Sequence, residues 1–253
     1  MNTAIAQRTG TSFKDKIIVA LDVPTSEEAL SIVNELSGSV GAFKVGLQLF
    51  TSAGPNLVRK LVETGSRVFL DLKFHDIPNT AAKASVEAAK LGVWMFNVHA
   101  SGGSEMMRQS SRDVGELCDK KGIERPLIIG VTVLTSSNNE TLKEVGVDQG
   151  MDSQVLQLAE LTAKCGLDGV VASPLEIEPI RARIASKEFV IVTPGIRPAS
   201  ATKDDQKRVM TPAEAVHFGA DYLVVGRPIT AAPDRLRAVE DIVGQMTAGN
   251  NPS

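Results

Sequence analysis

Arg67-Val-Phe-Leu-Asp-Leu-Lys-Phe-His-Asp-Ile-Pro-Asn-Thr80 joins three structural signals in one stretch. Val68-Phe-Leu70 is a short apolar run of β-prone residues, Asp71, Lys73 and Asp76 place charge where that run ends, and Asn79-Thr80 begins an amphipathic segment through Lys90. Gly92 lies just beyond, where a left-handed helix cap is commonly needed. Strand, charged strand end and helix thus follow one another without a gap.

The same unit recurs along the chain. Short apolar runs stand at Ile17-Ile-Val-Ala-Leu21, Ala42-Phe-Lys-Val45, Arg67-Val-Phe-Leu70, Trp94-Met-Phe-Asn-Val98, Leu127-Ile-Ile-Gly-Val-Thr-Val133, Gly169-Val-Val-Ala172, Phe189-Val-Ile-Val192 and Tyr222-Leu-Val-Val225. Near-continuous apolarity, rather than strict alternation, marks strands buried on both faces of a parallel sheet. Three capping boxes, Thr25-Ser-Glu-Glu28, Ser173-Pro-Leu-Glu176 and Thr211-Pro-Ala-Glu214, follow strands and start helices. Eight strands alternating with helices predict an α/β fold, a single-domain (β/α)8 TIM barrel, with a doubly wound open sheet as the alternative. The chain of 253 residues suits one such domain. The barrel is expected over 16–246, between a flexible N-terminal leader at 1–15 and a frayed polar tail at 247–253. The connections from Leu134 to about Gln154 and from Thr193 to Met210 are long enough to be expected as functional lids.

Composition narrows the function. With 43% hydrophobic and 23% charged residues the chain is ordinary for a globular protein. Lys and Arg number 27 against 30 Asp and Glu, a net charge of −3, which offers no global footprint for nucleic acid or an anionic membrane. No apolar run approaches a transmembrane span, and the N-terminus lacks the apolar block of a secretory signal. Cys118 and Cys165 are too few for a disulfide framework, so a cytoplasmic setting is expected.

In a barrel of this kind the carboxyl ends of the strands surround the active site. Asp22 ends the first strand, Lys44 lies on the second, and Asp71, Lys73 and Asp76 crowd the end of the third. Asp71 and Lys73 are two apart and project to one side if the extended conformation continues. A lysine held between carboxylates stays localised and is suited to giving a proton to a carbon centre. A metal site from Asp71, His75 and Asp76 is conceivable, but near-adjacent residues rarely converge on one ion. His99 is expected to satisfy an inward hydrogen bond and His217 to lie on a helix surface. Thr193-Pro-Gly-Ile-Arg-Pro198 and Gly226-Arg-Pro-Ile-Thr230 follow the seventh and eighth strands, the usual location of a barrel phosphate site. Glycine there lets backbone approach phosphate oxygens, and arginine supplies a planar set of donors.

With these motifs the chain resembles the orotidine 5′-phosphate decarboxylases, in particular the bacterial group. The resemblance rests on Ala20-Leu-Asp22, Lys44, Asp71 to Thr80, Thr193-Pro-Gly-Ile-Arg197 and Val225-Gly-Arg-Pro-Ile229, and runs from Lys16 to about Gly244. It implies conversion of orotidine 5′-monophosphate (OMP) to UMP and carbon dioxide in pyrimidine synthesis, with no metal and no organic cofactor. It further implies Lys73 as proton donor to C6, Asp71 beside the departing carboxylate, and Lys44 neutralising and orienting Asp71. Asp22 and Lys44 would hold ribose hydroxyls. Thr135, Arg197, Gln206, Gly226 and Arg227 would complete substrate binding, with Arg227 as the main phosphate ligand. Asp76 and Thr80 would reach into the site of a partner in a homodimer with shared active sites. The competing reading is a Mg²⁺-dependent sugar-phosphate decarboxylase or aldolase on the same barrel. Such enzymes resemble this chain but carry an acidic residue where Lys44 stands, and a cation there opposes a nearby metal ion.

Overall fold

Successive strand residues face opposite sides of a sheet, and the buried side chains divide along that parity. Ile17, Val19 and Leu21 join the core beneath the helices, while Ile18 and Ala20 join Ala42, Phe69, Met95, Leu127, Ile129, Val190, Val192, Tyr222 and Val224 in a second core along the barrel axis. The computed structural model describes residues 12–197 and 210–248. Within them eight strands form a closed, all-parallel barrel in sequence order. They are β1 (Ile17–Ala20), β2 (Ala42–Gly46), β3 (Val68–Phe74), β4 (Met95–His99), β5 (Leu127–Val131), β6 (Gly169–Val171), β7 (Val190–Thr193) and β8 (Tyr222–Val225). Closure is made where Ile18 of β1 pairs with Val224 of β8. An open, doubly wound sheet is thereby excluded.

The helix starts follow the local chemistry. Thr25 accepts from the Glu28 N–H at 3.2 Å, and Thr211 and Glu214 exchange bonds in both directions. At Ser173 the return half dominates, with the Glu176 carboxylate accepting from the Ser173 N–H at 2.8 Å. The helix after β3 runs Pro78–Lys90. Its proline occupies the first turn, where a missing donor costs nothing.

Two aspartates tie neighbouring strands together at the amino-terminal end of the barrel. Asp168, just before β6, accepts from the Ile128 N–H at 2.8 Å and from Arg125 at 2.7 Å. Asp221, just before β8, accepts from the Ile191 N–H at 2.7 Å and pairs with Arg181. Each satisfies a strand-end donor and a desolvated guanidinium at once.

The structure revises three boundaries. The connection from Leu134 to Gln154 is not a bare lid but holds a helix at Asn139–Glu144 and the start of another at Met151–Lys164. Asn138 caps the first by accepting from the Thr141 N–H, and Asn139 accepts from the Met151 N–H at 2.8 Å. At the N-terminal side, packing begins by Phe13 rather than Lys16. Phe13–Lys16 is a 3-10 turn whose Phe13 packs on the core. It lies so close to Gly41 that a Cβ there would stand 1.9 Å from the Asp15 carbonyl oxygen. The last helix, Arg235–Ala248, continues past the expected boundary at 246.

Candidate active site

The inward parity that builds the axial core also builds the site one layer higher. Two residues beyond Ala42 stands Lys44, two beyond Phe69 stands Asp71, and two beyond Met95 stands Asn97. Polar side chains therefore replace apolar ones at the level where the barrel opens. Lys44, 8% exposed, places its Nζ 3.1 Å from Asp22 Oδ1 and 3.4 Å from Asp71 Oδ2. Lys73 Nζ approaches the other Asp71 oxygen at 2.6 Å. Asp22, Lys44, Asp71 and Lys73 thus form one chain of alternating charge across the first three strand ends.

Asp71 carries the electrostatic balance. Burial pushes its carboxyl upward, but the Lys44 and Lys73 charges and hydrogen bonds from Lys73 and Asn97 outweigh that, and the net displacement is downward from the usual 3.8. It is an anion throughout the neutral range. For a buried carboxylate this is the compensation that burial demands.

The extended conformation does not continue from Asp71 to Lys73. Leu70 pairs with Phe96 while Phe74 pairs with Val98, so β3 advances four residues where β4 advances two. Within this bulge Lys73 adopts φ 53°, the single positive φ among the described non-glycine residues. The backbone N–H of Lys73 donates to Asn97 Oδ1 at 2.8 Å instead of to a strand carbonyl. Asp71 and Lys73 meet as expected, through a bulge rather than through strand parity.

A cavity of about 370 Å³ opens over this chain of charges. Asp22, Lys44, Asp71 and Lys73 line it together with Thr135, Gly195, Arg197, Gly226 and Arg227, and β8 lies next to β1, so that a Cβ on Gly226 would stand 3.9 Å from Asp22 Oδ2. Its size is that of a small-ligand site. A hydrogen bond from the Arg197 N–H to the Met210 carbonyl, 3.2 Å, closes the base of the connection after β7.

A model of the orotidine 5′-phosphate decarboxylase / HUMPS family matches residues 15–242. The chain belongs to this family. It is 54% identical over 236 residues to the orotidine 5′-phosphate decarboxylase of Geotalea daltonii, covering 92% of this chain and 97% of that one. The Moorella thermoacetica protein of the same name is 53% identical, covering 92% of both chains. Among solved structures, orotidine 5′-phosphate decarboxylase from Lactobacillus acidophilus superposes with a TM-score of 0.80 at 39% identity, over 91% of this chain and 98% of the other. An uncharacterized conserved protein from Geobacillus kaustophilus gives a TM-score of 0.80 at 35% identity, over 91% and 99%.

The family resemblance named further residues, and the structure separates them. Asp76 and Thr80 are exposed and do not line this chain's own cavity. Asp76 accepts from the Ile77 N–H at 2.7 Å. Gln206 and most of the 193–210 connection lie outside the described residues. Asp71, His75 and Asp76, the conceivable metal trio, have other partners: Asp71 is engaged by two lysines, Asp76 by the Ile77 N–H, and the His75 ring lies tilted against that of His99 at 5.3 Å. Among the described residues no three His, Cys, Asp or Glu side chains converge as metal ligands. Asn97, fully buried, was not singled out by sequence reasoning. Its signal is a lone amide at the inward parity of an otherwise apolar strand, the same signal that marks Lys44 on β2.

Proposed function

We infer that this protein decarboxylates OMP to UMP and carbon dioxide, as the names of its relatives indicate for them. The observation that carries the reading is the Lys44 ammonium seated between Asp22 and Asp71 at the cavity floor. In the sugar-phosphate branch an acidic residue would stand there and a divalent cation would need the space. Here a fixed cation already fills it, and the donor set suits no Mg²⁺.

The substrate phosphate is held by Arg227 with the backbone at Gly226 and Gly195, supported by Arg197 and Gln206. Thr135, which lines the cavity, completes substrate binding, and Asp22 and Lys44 bind ribose hydroxyls. The C6 carboxylate then lies toward Asp71. The bond from C6 to the carboxylate carbon breaks, carbon dioxide leaves, and its electron pair remains on C6. Lys73 stabilises that developing charge and delivers its Nζ proton to C6, after which solvent returns a proton to Lys73. Lys44 holds Asp71 in place and offsets its charge. No step calls for a metal or an organic cofactor.

Asp76 and Thr80 act in the site of a second copy, in a homodimer with shared active sites. Support comes from their position outside this chain's own cavity and from the exposed apolar side chain of Ile77, next to Asp76, at 66% exposed. Two buried free cysteines, and described helices none of which is long and apolar enough to cross a membrane, fit a cytoplasmic enzyme.

The test is the ultraviolet absorbance of OMP mixed with purified protein, with and without EDTA. Chelator-insensitive conversion to UMP is expected. Absence of conversion, or dependence on added Mg²⁺, would move the assignment to the sugar-phosphate branch.

A further inference from the structure

Where β3 bulges, the Lys73 N–H leaves the strand ladder, and a buried donor without an acceptor is costly. Asn97 meets it from the neighbouring strand. Its Oδ1 accepts from the Lys73 N–H at 2.8 Å, and its Nδ2 donates to Asp71 Oδ1 at 2.7 Å. That same Asp71 oxygen receives Lys73 Nζ at 2.6 Å. The orientation of the amide is fixed by chemistry, since a backbone N–H can only donate and a carboxylate can only accept. We propose that Asn97 is a positioning residue for the proton donor, clamping the left-handed Lys73 backbone and the Asp71 carboxylate with one rigid amide so that the ammonium is aimed into the cavity.

The inference rests on Lys73 being the donor and adds what holds it. A lysine side chain has four freely rotating bonds and strong entropy against a single pose. A non-glycine residue in the left-handed region is strained, and such strain persists only where its surroundings over-determine it. Asn97 is 0% exposed, and two of its polar atoms are committed to those two partners. Aspartate here would face Asp71 with a second negative charge. Glutamine would be one methylene too long for a site already packed, and alanine would leave the Lys73 N–H and Asp71 each short of a bond.

The experiment compares kcat, KM and the pH profile of wild type and Asn97→Ala on OMP. A misaimed donor should lower kcat by about 10–100-fold, as loss of hydrogen bonds to a charged group does. KM should move by less than about threefold, because the residues proposed to hold the phosphate follow β7 and β8, whereas Asn97 stands on β4. The acid limb of kcat/KM should move to higher pH. Lys44 from β2, Lys73 from β3, His99 from β4 and Asp22 beyond β1 still face Asp71 in the variant, and only the Asn97 donor is gone. A residue that merely fills space would lower thermal stability while leaving the kcat of the folded enzyme and its acid limb unchanged, and that result overturns the proposal. Should Asn97→Ala not fold, Asn97→Asp decides. It keeps the acceptor and the shape but loses the donor, and its kcat at neutral pH should fall at least as far; wild-type kcat would again overturn the proposal. Wild-type conversion in the same assay separates the two levels. If wild type does not act on OMP the functional reading fails, whereas normal wild type with unaffected variants sinks only the role of Asn97.

Discussion

At the residue scale, the site works by making each buried charge answer to another. Asp71 is the hinge of this arrangement, with Lys44 on one oxygen, Lys73 on the other, and Asn97 sharing the second. His99 lies just outside. Burial, then the neighbouring His75 and Lys73, hold its imidazole below the ordinary 6.5, with Asp71 opposing. As pH falls from 6.5 the unfolded chain therefore takes up this proton before the folded one does. The stability linked to His99 is complete above that pH and drains away as pH falls through the lowered folded value. His99→Gln should accordingly lose less stability than wild type between about pH 7.5 and about pH 5.5, read from urea midpoints at the two pH values. Equal losses in the two proteins would show that His99 does not titrate as described.

At the element scale, strand contacts explain both what sequence reveals and what it conceals. Every strand announces itself as an apolar run, and the polar exceptions Lys44 and Asp71 could be read as site residues because charge in such a run demands a reason. Asn97 carries no charge, so the same logic does not mark it. The β3 bulge was equally hidden, since the spacing of Asp71 and Lys73 fits an ordinary strand and only the β3–β4 register exposes the two extra residues. Close backbone approach leaves a clearer mark. A Cβ on Gly169 would lie 2.1 Å from the Val190 carbonyl oxygen, whereas one on Gly115, in the helix Gly103–Lys121, meets nothing within 4 Å. Gly169→Ala should destabilise by about 1–3 kcal/mol through overpacking between β6 and β7. Gly115→Ala should stabilise by up to about 1 kcal/mol through helix propensity. Denaturant midpoints at unchanged slope measure both, and a neutral Gly169→Ala would contradict the tight β6–β7 contact.

At the scale of the whole molecule, eight repeated units give the barrel its closure, and closure brings loops from both ends of the chain to one mouth. That is why Asp22, Lys44, Asp71, Arg197 and Arg227 line a single cavity although more than a hundred residues separate the first three from the last two. The barrel was legible because periodicity repeats eight times and each repeat corroborates the others. The helix inside the 134–154 connection was not, because six residues at Asn139–Glu144 are too short for a periodic signal. Placement of Asp76 beyond its own cavity yields a prediction for the assembly. Mixing Lys73→Ala with Asp76→Asn, each inactive alone, should restore activity, because hybrid dimers contain one site with both residues intact. Up to about a quarter of the sites regain function at equal mixing with random exchange. No recovery after verified subunit exchange would place Asp76 in its own subunit's site.

Lys73 is assigned to chemistry rather than binding, and turnover of OMP by Lys73→Ala, set beside the variant's affinity for UMP, separates the two. The expected result is a folded variant that binds UMP within a few-fold of wild type while kcat falls by at least about 100-fold, the scale of a lost proton donor. Turnover within about tenfold of wild type would remove Lys73 from the chemistry and point to Lys44, the other ammonium lining the cavity, which is held between Asp22 and Asp71.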